Sequence, residues 1–312
     1  MMRLPGRADV EAAHARIRPW IRETPVVAVE TDVTGVADAP VMLKLEGLQR
    51  TGSFKARGAF NAMLAHPVPV AGVVAASGGN HGAAVAYAAM RLGHKATIFV
   101  PETAPRVKVE RLKRYGAAVH QVGESFAQAF EAATRHQAAG GARMLHAYDD
   151  PDIIAGQGTA ALEFAQQVVG LDTVLVAVGG GGLIGGVIAC LMEPGVKVVA
   201  VESTGTPTLA RALQAGEPVT VQVGGIAADA LGASRIGAYG LALAQAHLHA
   251  MVLVEDDEIR AAQRLLWDAL RVVAEPGGAT AFAALVTGRY RPAPGERVGV
   301  LVCGSNADLS VF

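Results

Sequence analysis

The chain has 312 residues, 51% of them hydrophobic and only 18% charged, a balance that excludes a disordered chain and promises a large core. Its 27 basic and 28 acidic residues leave a formal charge of -1, which gives no attraction for nucleic acid or an anionic membrane surface. Two cysteines, Cys190 and Cys303, cannot build a disulfide framework; with no apolar signal segment at the N-terminus, a reducing, cytoplasmic setting is expected.

Length sets an expectation of about two domains. The first strand signal is the apolar run 41–45, and Ser53-Phe54-Lys55 follows it. Ser53 reads as a helix N-cap, because Phe54, Ala59, Phe60, Met63 and Leu64 then keep helical spacing. Lys55 therefore falls in the first turn, where the helix dipole disfavours a cation and lowers its pKa. A lysine near neutrality is a nucleophile able to form a Schiff base. The same segment also fits a surface lysine whose stem swings into water. Next comes a strand at 73–76, then Ser77-Gly78-Gly79-Asn80-His81-Gly82 and a helix at 83–92 closed by Gly93. Successive N–H groups at a helix start make an anion site, although an ordinary strand–helix turn capped by His81 reads as well.

Strands at 97–100 and 118–122 alternate with helices at 106–115 and 125–139, each helix followed by glycine in the C-cap position. Tyr148-Asp149-Asp150-Pro151 is a turn cluster and the best internal boundary. The uncharged stretch 174–192 is long enough to raise the question of a membrane span, but six of its residues are glycine. It reads as a strand at 174–178, a loop Gly179-Gly180-Gly181-Gly182-Leu183 and a helix, with Gly-x-x-x-Gly spacing for close helix packing. Four glycines let backbone wrap a phosphate that any Cβ would push away. Glu202, 20 residues after Gly182, keeps a nucleotide site open, although the loop matches neither a Walker A motif nor the dinucleotide fingerprint. Strands at 198–201, 251–254 and 298–302 complete the series. The last leads into Cys303-Gly304-Ser305-Asn306, where Cys303 reads as a small buried hydrophobe or as a residue at a ligand-binding strand end. Apolar strands separated by helices describe an α/β protein with parallel sheets buried on both faces.

Taken in order, Thr51-Gly52-Ser53-Phe54-Lys55-Ala56-Arg57-Gly58, Ser77-Gly78-Gly79-Asn80-His81, the tetraglycine loop and Cys303-Gly304-Ser305-Asn306 resemble the fold-type II pyridoxal-phosphate enzymes, and within them the serine/threonine dehydratase (ammonia-lyase) group. Ala155-Gly156-Gln157-Gly158-Thr159 and Gly225-Ile226-Ala227-Ala228-Asp229 add to the likeness, which runs over roughly residues 15 to 310. The resemblance implies a tryptophan synthase β-like pair of parallel-sheet domains: residues 1–70 and 150–312 as the large domain binding pyridoxal 5'-phosphate, and 71–149 as the small domain carrying the asparagine loop. It implies that Lys55 is the Schiff-base lysine with Phe54 beside the ring, and that Asn80 meets the phenolic oxygen. Gly179, Gly180, Gly181, Gly182 and Leu183 would then hold the phosphate, and Cys303 would face the ring nitrogen. Ser77, Gly79 and His81 would take the substrate carboxylate, mostly through backbone, and Glu275 would stand near the ring.

The implied activity is β-elimination of water from L-threonine or L-serine, giving a 2-oxo acid and ammonia, in a homodimer acting on a small amino acid. Serine racemases and β-replacement synthases of the same fold are alternatives. The racemases carry a serine as second acid/base where this chain has Gly78, so racemisation is expected to be weak. Glu202 is followed by no second carboxylate through Thr208, and His247-x-His249 lacks a third partner, so no metal is expected. A non-catalytic nucleotide- or effector-binding module would keep the glycine loop but leave Lys55 without work. Tyr148 and Ala228 are candidate pocket walls.

Overall fold

The computed structural model describes residues 2–36 and 40–308. Its ten strands are β1 (Val26–Val29), β2 (Val41–Leu45), β3 (Val73–Ala76), β4 (Ala96–Val100), β5 (Ala118–Gln121), β6 (Arg143–Met144), β7 (Thr173–Ala177), β8 (Lys197–Ser203), β9 (Ala250–Val254) and β10 (Val298–Val302). They form two sheets, ordered β1-β2-β10-β7-β8-β9 and β5-β4-β3-β6. Every pairing is parallel except β1 on β2, where Val26 lies opposite Lys44 and Val29 opposite Val41. Strand β1 has no counterpart among the sequence expectations, because a four-residue edge strand carries too little pattern and gains its place through a non-local register. Strand β6 is only two residues long, Arg143–Met144.

The central strands β7 and β10 are buried along their whole length, which explains their unbroken apolar sequences. Helices Gly182–Leu191 and Pro276–Val286 pack on this sheet. Helix Gly182–Leu191 also crosses helix Pro151–Gln167 at two glycines: a Cβ on Gly186 would come within 2.4 Å of Gly158 N and of Ile154 O. Small-residue spacing in 174–192 is thus helix packing, and no helix among the described residues is long and apolar enough to cross a membrane.

Around the smaller sheet a second core gathers Val73, Ile98 and Val100 with Phe60 and Met63 of helix Lys55–Ala65, Ile17 and Ile153. Helix Lys55–Ala65 thus packs one side into that core while its first turn meets the end of β10. Its other side carries Arg57, fully buried. The guanidinium donates to both oxygens of Glu46 and both of Glu163, at 2.7 to 2.8 Å, and Lys44 Nζ donates to Glu163 Oε2 at 2.9 Å. Two cations and two carboxylates balance with nearly every lone pair used, the condition under which a buried ionic group is tolerated. Arg57 of the first motif and Thr159 of the Gly-Gln-Gly-Thr stretch meet here, at 3.1 Å. Those parts of the motifs are structural.

Candidate active site

Strands β2, β3, β7 and β10 each deliver one of the motifs at a carboxyl end, the place where ligands bind in parallel α/β sheets. Lys55, Asn80, the glycine loop, Glu275 and Cys303 line one cleft there, with Phe54, Leu183 and Tyr148 completing its walls.

Lys55 is the first residue of its helix, but Ser53 does not cap it. Ser53 is extended and pairs by backbone with Gly304, Phe54 N donates to Cys303 O at 3.1 Å, and Ser53 Oγ is buried without a partner. Backbone pairing across to the end of β10 fixes the helix start in place of a side-chain cap. Lys55 Nζ donates to the Ala147 carbonyl at 2.9 Å and stands 5.2 Å from the Phe54 ring centre. Burial pulls its pKa down to about 8, with neighbouring Cys303 and Glu275 acting against it. Burial, and not the helix-end field inferred from sequence, is the leading cause.

In the asparagine loop Ser77 Oγ accepts from Gly79 N at 3.3 Å, and Asn80 opens helix Asn80–Leu92. Asn80 Nδ2 donates to Glu275 Oε1 at 2.6 Å, and its Oδ1 accepts from Asn306 Nδ2 at 2.6 Å. His81 does not cap this helix with its side chain. Its side chain is buried, with Nε2 at 2.9 Å from the Leu145 carbonyl. Burial, helped by the Lys55 cation, holds its pKa down at about 3, so the neutral ring donates to that carbonyl.

The glycine loop turns at Gly181, with φ +96°, into helix Gly182–Leu191. The first N–H groups of a helix lack intrahelical acceptors, so they form a cradle for an anion. Tyr148 leans on this loop so closely that a Cβ on Gly180 would lie 2.2 Å from its ring; its hydroxyl donates to Arg235 O at 3.1 Å. Tyr148 is a wall as expected, whereas Ala230 and Leu231, not Ala228, line the cleft beside it. Cys303 is buried, its Sγ donating to Gly277 O at 3.3 Å, and burial pushes its thiol far above the usual range. It stays neutral. Glu275, also buried, is pushed up to about 7 by burial, against the Asn80 hydrogen bond.

Glu202 does not face the glycine loop. Both its oxygens accept backbone N–H groups of helix Thr208–Ala215, from Leu209 at 2.7 Å and Ala210 at 3.0 Å, so it is a helix cap and the ribose partner of a nucleotide site is missing. Several contributors left little trace in the sequence. The Ala147 carbonyl leaves none, and His146, whose Nδ1 accepts from Tyr148 N and Asp149 N, is signalled only by the turn cluster it organises. Asn306 lay within a quoted motif but without a role.

A buried amine of lowered pKa, a glycine cradle for an anion and an amide donor between them suit a phosphorylated carbonyl cofactor. The family model described as "Pyridoxal-phosphate dependent enzyme" matches residues 17–304. The chain belongs to this family. The phenylserine dehydratase of Ralstonia pickettii is 39% identical over 99% of this chain and 95% of its own length. An L-threonine ammonia-lyase of Thermotoga maritima is 37% identical over 97% of this chain and 76% of its own length. Among solved structures, maize serine racemase superposes with a TM-score of 0.92 at 32% identity, covering 99% of this chain and 95% of that one. Fold-type II architecture and dependence on pyridoxal phosphate are therefore established, while lyases and racemases both stand among the relatives.

Proposed function

We propose that this enzyme is a cytoplasmic lyase that eliminates water from a β-hydroxy amino acid, L-threonine or L-serine, and releases a 2-oxo acid and ammonia. The backbone N–H groups of Gly179, Gly180, Gly181, Gly182 and Leu183 would hold the cofactor phosphate, Asn80 its phenolic oxygen and Lys55 Nζ its carbonyl carbon, with Phe54 beside the ring. When bound, the cofactor supplies a sink for the electron pair left on the substrate's α-carbon. Lys55 Nζ, titrating at about 8, removes the α-proton near neutral pH. Cys303 keeps its proton, so no charged partner stands where the resemblance puts the ring nitrogen, which favours prompt loss of the β-hydroxyl. Ser77, Gly79 and the backbone of His81 would take the substrate carboxylate at the start of helix Asn80–Leu92. We take 71–149 as the small domain and the assembly as a homodimer, which light scattering tests as twice the chain mass.

Gly78 carries the choice of elimination over racemisation. The position has no proton-bearing side chain, although a Cβ there would meet nothing nearer than Val100 Cγ1 at 3.5 Å. Room for a serine is present and the serine is not. Product analysis on L-serine, L-threonine, L-phenylserine and L-threo-3-hydroxyaspartate tests this. Oxo acid and ammonia are expected in equal amounts with D-serine a minor product, and Gly78→Ser is expected to raise the D-serine share. D-serine formed by the wild type as fast as pyruvate would contradict the reading.

A further inference from the structure

The Asn80 amide donates at one end and accepts at the other, and only Nδ2 can serve an ionised phenolic oxygen. Its bond to Glu275 is a poor guide to direction. Glu275 titrates near neutrality, and a protonated carboxyl donates as readily as it accepts. The other end of the amide is better fixed. Asn80 Oδ1 accepts from Asn306 Nδ2, whose second hydrogen goes to the Thr51 carbonyl at 2.9 Å. Asn306 Oδ1 in turn accepts from Arg111 Nη1 at 2.8 Å, and Arg111 Nη2 donates to the same Thr51 carbonyl at 2.8 Å. A guanidinium has donors only and does not lose its charge. Reversing Asn306 would set its oxygen against Thr51 O and Asn80 Oδ1, and its amide nitrogen against the guanidinium. Every polar atom of that side chain would lose its partner at once.

We propose that Arg111 and Asn306 are positioning residues that hold the Asn80 amide with its N–H toward the cofactor. The chain of donors runs from Arg111 through Asn306 and Asn80 to Glu275. Arg111 comes from helix Arg106–Arg114, Asn306 from beyond β10 and Asn80 from beyond β3. The orientation is therefore set only when segments leaving both sheets are docked together. The proposal rests on the cofactor site described under the proposed function.

Asn306→Asp tests it, since the carboxylate keeps the Arg111 contact but presents oxygen to Asn80, which should turn its amide round. The expected result is a cofactor dissociation constant weakened about tenfold, the scale of one hydrogen bond to a charged group, with a shifted visible band. In a cycle with Asn80→Ala, the double variant should bind the cofactor no worse than Asn80→Ala alone. Additive losses, or an unchanged band and affinity in Asn306→Asp, would overturn the proposal. If Asn306→Asp does not fold, Arg111→Leu takes its place in the cycle with the same expectation. The wild-type visible band and its loss in Lys55→Ala are recorded first. Without that band the site reading fails and takes this proposal with it; with the band present, an additive cycle overturns the orientation alone.

Discussion

Lys55 and Glu275 are drawn toward neutrality from opposite directions, to about 8 and about 7, both chiefly by burial. For Lys55 the consequence can be timed. Capture of pyridoxal phosphate by the cofactor-free chain needs the unprotonated amine, so its rate should climb with pH through about 8 and level off above it. Between pH 7 and pH 9 the rise should be about tenfold, as expected for one group titrating midway. Stopped-flow absorbance at limiting cofactor measures it. A rate still climbing between pH 9 and pH 10 would mean an ordinary solvated lysine. Lys55 was legible because its motif carried it, but the cause of its shift was not, since burial depends on Phe54 and the end of β10. The capping readings of Ser53 and His81 failed for a related reason. Composition places a hydroxyl or an imidazole near a helix start, but only the packed backbone decides which way it turns.

Helix Lys55–Ala65 depends on the ionic cluster behind it as much as on its apolar side. Arg57→Met would leave Glu46 and Glu163 facing Lys44 alone in a buried site. Removing one partner of such a cluster costs about 3–5 kcal/mol, because the charge left behind has no solvent. Urea unfolding of the cofactor-free chain should show a loss of that size, and a change under about 1 kcal/mol would mean that water or Lys44 compensates. Strong local signals made most elements legible. Ser125 and Gln128 form a reciprocal cap on helix Phe126–Gly140, where the sequence has helical spacing over 125–139; helix Pro151–Gln167 was not read, although its start lies in the turn cluster that was. Among the strands, β1 was missed: it has four residues and holds its place through antiparallel pairing with β2.

At the scale of the whole molecule, helix Lys55–Ala65 belongs to the smaller sheet's core while the residue before it is tied to the end of β10, and across the cleft Lys108 pairs with Asp229. The α/β class and the convergence of the motifs followed from chain order, because parallel strands put their carboxyl ends on one side. Wall residues such as Leu231, and the Arg111–Asn306 arm, join the site through long-range docking that no local pattern dictates. The central claim is that this site removes the α-proton with Lys55 and expels a β-hydroxyl. Release of 2-oxo acid and ammonia from L-threonine and L-serine, by wild type and by Lys55→Ala, tests it most directly. Equal yields of both products from the wild type, and none from the variant, are predicted. A wild type that carries the cofactor yet releases no oxo acid, or a Lys55→Ala variant that keeps full turnover, would contradict it.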